Sequence, residues 1–173
     1  MVHEGNAMTL ATVSGSGEVL QRTVLLKTLD ERGFVFYSNY KSRKASHIEA
    51  HPQASLLFPW IELERQVIVR GVIEKVSREE SEAYFRTRPR ESQLGAWVSE
   101  QSSVIENRSV LEDGMAELET RFEGKEIPLP DFWGGYLLRP VTIEFWQGGP
   151  GRVHDRLEYR KDKDGWKIVR LSP

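Results

Sequence analysis

The chain has 173 residues, with 24 Lys+Arg against 26 Asp+Glu for a formal net charge of −2, and no cysteine. One domain spanning 1–173 is the expectation at this length, with a core that needs neither disulfide nor structural metal, and the missing thiols exclude thiolate catalysis and cysteine-ligated zinc. Near-neutral charge argues against nucleic-acid binding, and no apolar run approaches the ~20 residues that cross a bilayer.

The start, MVHEGNAMTL, shows neither the basic beginning nor the apolar core of a secretory signal, so a soluble cytoplasmic protein is expected. Residues 8–14 and 18–27 read as a hairpin about Gly15-Ser16-Gly17, and 34–38 as a third strand after Gly33. Ser42 stands where a helix cap belongs, ahead of a helix that Pro52 ends. Strands follow at 53–58 and 64–76. Ser77-Arg78-Glu79-Glu80 has capping-box spacing for a helix running to Arg88 before Pro89. Helical turns at 91–99, an amphipathic helix at 104–122 and a loop at 124–130 come next. Strands return at 135–138, 142–146, 152–159 and 166–171. Strands in blocks flanking helices, without one-to-one alternation, indicate a mainly β protein: an antiparallel sheet or barrel with flanking helices.

Several constellations could carry chemistry. No dinucleotide fingerprint or phosphate loop is present. His47 and His51, four apart on the first helix, lack a third ligand and read as solvated surface histidines, so no metal site is expected. Arginine is over-represented, 16 Arg to 8 Lys, and guanidinium suits bidentate capture of phosphate. Arg43 and Lys44 occupy the first turn of a helix, where cations oppose the macrodipole unless an anion binds there; a solvated helix start is the alternative. Tyr84 and Arg88 share a helix face, with Arg90 and Ser92 just beyond Pro89, as a phosphate cradle or as a salt-bridged surface helix pairing with Glu79, Glu80 and Glu82. Arg152, His154 and Arg156 alternate along a predicted strand, facing an anion or an acidic neighbour strand, or forming a polar outer strand face. Arg22 and Lys27 close the two ends of another apolar run, leaving it on opposite faces.

The runs RTVLLK (22–27), FYSNYKSRK (36–44), SLLFPW (55–60), RQV (65–67), YFRTRPRESQLGAWVSEQSS (84–103), FWGGY (132–136), IEFWQGG (143–149), RVHDR (152–156) and the terminal RLSP closely resemble the pyridoxamine 5′-phosphate oxidase family, in register from about Met8 to Pro173. The resemblance implies an FMN-binding split β-barrel, antiparallel, that forms a homodimer with FMN at the interface. It implies oxidation of pyridoxamine 5′-phosphate or pyridoxine 5′-phosphate to pyridoxal 5′-phosphate, with oxygen as acceptor and hydrogen peroxide released. By resemblance, FMN contacts fall on Arg22, Thr23, Val24, Leu25, Leu26, Lys27, Tyr37, Ser38, Arg43, Lys44, Gln66, Gln101, Ser102, Trp146 and Arg156. Substrate contacts fall on Lys27, Tyr84, Arg88, Ser92, Arg152, Val153 and His154, with Arg152 and His154 as the residues acting on the transfer step. Val153 stands where the motif usually has Leu, and Ser38 where Thr is common. Residues 1–7 are a short lead-in where the family generally has several tens of residues, which bears on closure of the active site. Another flavin- or deazaflavin-dependent reductase of the same fold, and a non-catalytic pyridoxal phosphate or flavin carrier, are the competing readings.

Overall fold

In the computed structural model, which describes residues 4–173, β1 (Ala7–Val13) turns Met8, Leu10 and Thr12 inward and the residues between them outward, the two-residue period of a half-buried strand. It pairs antiparallel with β2 (Val19–Leu25) through the glycine turn. After β3 (Thr28–Asp30) and β4 (Gly33–Asn39), α1 (Arg43–Ala50) leads to β5 (Gln53–Trp60) and β6 (Arg65–Lys75). Three helices follow: α2 (Arg78–Thr87), α3 (Arg90–Val98) and α4 (Ser109–Arg121). The chain closes with β7 (Trp133–Gln147), β8 (Asp155–Asp162) and β9 (Gly165–Arg170). The strands hydrogen-bond in the order β2-β1-β5-β6-β7-β4-β3, with β8 on β7 and β9 on β8. The β1·β2, β1·β5, β3·β4, β5·β6, β7·β8 and β8·β9 ladders are antiparallel, so the fold is mainly antiparallel β with four helices, as expected.

The chain divides into two compact units. One holds the residues up to Phe36, His47–Glu74 and Leu137–Pro173; the other holds Tyr37–Ser46 and Lys75–Tyr136. Leu10, Val35, Phe36, Leu56, Val69 and Leu138 are fully buried in the first. In the second, Phe85, Leu94, Phe122, Ile127, Leu129 and Trp133 form one apolar cluster under α2, α3 and α4. Ser77 caps α2 as its position in the sequence indicates: its hydroxyl accepts from the Glu80 N–H at 3.1 Å. Arg88 is extended (φ −72°, ψ 146°), the conformation forced on a residue before proline.

The structure corrects several sequence expectations. The predicted strands 135–138 and 142–146 are one strand, because Pro140 lies just ahead of the β7·β8 ladder, which starts at Thr142, and its missing N–H breaks none of those bonds. The helix expected from Val104 begins at Ser109, where the Asn107 side chain accepts from the Ser109 N–H and holds the preceding residues in a turn. Lys27 lies beyond the end of β2, and its N–H donates to the Val35 carbonyl, so strand alternation does not relate it to Arg22. Arg152, Val153 and His154 are not in a strand. Gly148 to Gly151 interrupt it, Pro150–Arg152 is a 3₁₀ turn, and β8 starts at Asp155. His47 is not a surface residue: it is 4% exposed, while His51 is exposed as expected. No group of metal-ligating side chains occurs among the described residues.

The first unit carries an arginine–glutamate network on β6, β7 and β8. Glu144 and Glu158 face each other across the β7·β8 ladder, and both are buried. Like charges in that register repel, and cations offset them. Arg156 grips Glu144 with two bonds (2.7 and 3.1 Å), while Glu158 receives Arg160 at 2.6 Å and Arg70 at 2.9 Å. The hydrogen bond from Arg160, with Arg70 adding to it, holds the Glu158 carboxyl below the usual carboxylate range. A carboxylate so depressed contributes stability that is present at neutral pH and lost as pH falls through its folded-state value. Glu158→Gln is expected to lower stability by about 1–2 kcal/mol at pH 7, and thermal melts of the two proteins should converge as the pH is taken below 4; a constant gap would contradict this role.

Candidate functional site

The second unit builds a cationic site on an aromatic floor. Tyr37 at the end of β4 stacks on Tyr84 of α2, with ring centroids 3.8 Å apart and planes within 13°. Trp133, at the start of β7, lies parallel to both, 5.6 Å from Tyr37 and 6.3 Å from Tyr84. The strand can run this close because Gly135 has no side chain: a Cβ there would lie 2.8 Å from the Tyr37 ring. Arg88 closes the stack, its guanidinium 4.6 Å from the Trp133 ring and 5.7 Å from the Phe85 ring, a cation–π arrangement. Its Nη1 is buried without a hydrogen-bond partner, alone in this among the described residues. Burial draws the Arg88 guanidinium below its ordinary pKa, with the nearby Tyr84 opposing that shift. An unpaired buried donor costs roughly 1–3 kcal/mol, more for a charged group. A ligand oxygen would remove that cost.

The neighbouring arginines have different fates. Arg86 pairs with Glu82 at 2.8 Å, the ordinary surface bridge foreseen for this helix. Arg90 donates to the Phe122 and Lys125 carbonyls and braces the loop after α4. Ser92 is half-buried near the start of α3. Of the predicted cradle, the structure therefore joins Tyr84 to Arg88 and assigns Arg90 a structural task.

A second cluster forms at the α1 N-terminus. Lys44 is 9% exposed and donates from Nζ to Gln101 Oε1 and Ser42 Oγ. Ser38 Oγ donates to the same Gln101 oxygen at 3.3 Å, and the Ser102 hydroxyl accepts from the Arg43 N–H at 3.2 Å. A polar cavity of about 450 Å³ is lined by Arg43, Gln101 and Ser102. Ser102 holds a left-handed backbone, φ 78°, which costs a non-glycine residue about 1–2 kcal/mol. The structure thus brings together Ser38, Arg43, Lys44, Gln101 and Ser102, residues as much as 64 positions apart in the chain.

The remaining predicted residues lie in the first unit. Arg22 donates to the Leu10 carbonyl and to Thr12 Oγ1. Thr23, Val24 and Leu25 complete β2, with Leu26 and the exposed Lys27 just after it. Gln66 and Trp146 line one cleft of about 290 Å³, with Arg65, Phe145 and Asp155. Trp146 packs on His154, centroids 4.7 Å apart. The Gly149 N–H donates to His154 Nδ1 at 3.2 Å, so a neutral ring carries its proton on Nε2. Gly149 permits the tight return, since a Cβ there would lie 2.3 Å from the Val153 carbonyl. Val153 is 72% exposed. Arg152 is exposed with φ 65°. Arg156 is engaged by Glu144 and by the Ser172 carbonyl, the acidic neighbour strand that the sequence left open.

Comparison with known proteins decides the family. Residues 1–122 match the model of pyridoxamine 5′-phosphate oxidase, and residues 133–173 match the pyridoxine 5′-phosphate oxidase C-terminal dimerisation region. The chain belongs to the pyridoxamine 5′-phosphate oxidase family. It is 59% identical to the pyridoxine/pyridoxamine 5′-phosphate oxidase of Rubrobacter xylanophilus over 99% of this chain and 79% of that protein. It is 60% identical to pyridoxine/pyridoxamine 5′-phosphate oxidase 1 of Ralstonia nicotianae, over 99% and 81%. Among solved structures it resembles PhzG from Burkholderia lata, crystallised with tetrahydrophenazine-1-carboxylic acid (TM-score 0.94, 30% identity, 99% of this chain and 84% of that one). It also resembles an FMN-binding pyridoxamine 5′-phosphate oxidase-related protein from Nostoc punctiforme (TM-score 0.79, 18% identity, 99% and 90%), which supports the fold alone. The chain thus pairs the split-barrel fold with membership of an oxidase family.

Sequence reading of this oxidase-family chain missed Trp133, the floor under Arg88. Its signal was the Trp-Gly-Gly run, an aromatic residue followed by two positions where backbone must pass close to something. It also missed the burial of His47 beside Thr12. Since Arg88 keeps an unpaired buried donor, Arg88→Met should leave the thermal midpoint within about 2 °C of wild type or raise it; a drop beyond about 6 °C would show that the guanidinium serves the fold and not a ligand.

Proposed function

We propose that the chain oxidises pyridoxamine 5′-phosphate or pyridoxine 5′-phosphate to pyridoxal 5′-phosphate, with oxygen as electron acceptor and hydrogen peroxide released, and with ammonia also released from the amine. The observation that carries this reading is the buried, unpartnered Nη1 of Arg88 on the Tyr37–Tyr84–Trp133 stack: a planar donor held ready for a phosphate oxygen. The identity of 59–60% to oxidases named for these substrates, against 30% to PhzG, favours the vitamin substrates over the phenazine branch.

The residues fit FMN. The buried ammonium of Lys44, the α1 N-terminus with Arg43, and the Ser102 and Gln101 side chains supply the cations and polar groups a phosphate monoester needs. Arg22 to Lys27, Tyr37, Ser38, Gln66, Trp146 and Arg156 complete the proposed cofactor set. When bound, FMN supplies the two-electron acceptor that no side chain of this protein can replace.

The chain's own residues bind and orient. Arg88, with Tyr84, Ser92 and Lys27, holds the substrate phosphate, so binding energy from a non-reacting group fixes the position of the reacting carbon. Arg152, with Val153, and His154 take the pyridine ring. His154 offers its Nε2–H as a donor, because the Gly149 amide occupies Nδ1. The left-handed backbones of Ser102 and Arg152 support the assignment, since such strain concentrates at working sites.

A homodimer with FMN at its interface agrees with the matched dimerisation region, 133–173. Within it Phe145, Trp166 and Ile168 are 47%, 43% and 54% exposed, apolar surface of the kind a partner covers.

Protein loaded with FMN and given pyridoxine 5′-phosphate under air should produce pyridoxal 5′-phosphate and peroxide in equal amounts. Arg88→Ala should raise KM at least tenfold, roughly the worth of one charge-assisted hydrogen bond, with flavin content unchanged. Holoprotein that makes neither product would refute the reading.

A further inference from the structure

His47 is a buried titratable group that the chemistry above does not use. It is 4% exposed, and Thr12 beside it is fully buried. Thr12 Oγ1 lies 3.2 Å from His47 Nδ1 and accepts from Arg22 Nη1 at 2.6 Å; the same nitrogen donates to the Leu10 carbonyl at 3.1 Å. A guanidinium only donates, so Thr12 spends a lone pair on Arg22 and retains its own hydrogen to give away. Giving it to His47 Nδ1 is the arrangement that leaves no buried hydroxyl hydrogen unpaired. The donations then run in one direction, Arg22 to Thr12 to His47, and hydrogen bonds in such a chain strengthen one another. A leucine at position 47 could fill the same volume, but it could not accept the Thr12 hydrogen.

We propose that His47 is a positioning residue for the cofactor: through Thr12 it fixes the guanidinium of Arg22, the first residue of the segment assigned above to FMN. The inference rests on that assignment. His47 also ties α1 to β1 through Thr12. A histidine with a purely packing role would influence folding without any preference for variants that can accept a hydrogen bond at Nδ1.

The test is the dissociation constant of FMN, read from quenching of flavin fluorescence as apoprotein is added, with circular dichroism confirming that each variant folds. His47→Leu should weaken FMN binding about five- to tenfold. His47→Asn, whose Oδ1 can replace Nδ1 as acceptor, should stay within about twofold of wild type. Thr12→Val should repeat the loss by an independent route, which keeps the test open if His47→Leu does not fold. In an Arg22→Ala background, His47→Leu should add less than about a twofold further loss. Wild-type affinity in both His47→Leu and Thr12→Val, an undiminished loss on the Arg22→Ala background, or His47→Asn no better than His47→Leu would each overturn the inference. Wild-type protein that takes up no FMN would instead overturn the cofactor assignment itself, before any variant is compared.

Discussion

Arginine is hard to bury and harder to bury with a nitrogen left unpaired, and the second unit is organised around doing so. The Arg88 guanidinium lies against Trp133 and Phe85, and Tyr37 and Tyr84 stack parallel to Trp133. Tyr84 and Arg88 come from α2 and its end, Trp133 from the first residue of β7, and Tyr37 from β4. Each element has a local reason to be where it is. Ser77 caps α2, Pro89 stops it with Arg88 extended, and Gly135 admits the Tyr37 ring. The rings recover part of the desolvation cost through cation–π attraction, worth about 0.5–2 kcal/mol, and they fix the plane of the guanidinium. What they cannot supply is an acceptor for Nη1, which is the part proposed for a phosphate oxygen.

The same logic, applied with different chemistry, runs through the rest of the proposed site. Lys44 is held at a helix N-terminus by neutral polar groups, against the sign of the macrodipole. Ser102 and Arg152 keep left-handed backbones that glycine would adopt more readily. Elsewhere, cations are matched to carboxylates: Arg156 to Glu144, and Arg70 and Arg160 to Glu158. The difference separates arginines matched to carboxylates in the sheet from Arg88, whose Nη1 is buried without a partner, a distinction that a count of 16 arginines could not make.

What the sequence disclosed and what it hid follow from the range of the interactions. The glycine turn between β1 and β2, the Ser77 cap and the Pro89 stop are local, and each appeared where the residues indicated. The segment from Gly148 to His154 defeated alternation because glycines and Pro150 turn the chain through contacts that only the folded loop shows, such as Gly149 against Val153. The helix start at Ser109 depended on one Asx turn at Asn107, which is stronger locally than the apolar period that suggested Val104. His47 looked solvated because its polar partner, Thr12 of β1, lies 35 residues away in the chain. The two cation clusters were visible as anomalies of charge placement, and resemblance supplied their proposed ligands. Only the structure distinguished Arg86 as a surface bridge, Arg90 as a loop brace and Arg88 as a guanidinium with a buried, unpaired nitrogen.

The central claim is that Arg88 is kept unpaired for a phosphate, and calorimetric titration of the FMN-loaded protein with pyridoxal 5′-phosphate and with unphosphorylated pyridoxal tests it most directly. The account predicts that removing the phosphate weakens binding by a factor of roughly 30 or more, the worth of charge-assisted hydrogen bonds that pyridoxal cannot make. Equal affinity for the two compounds would contradict it.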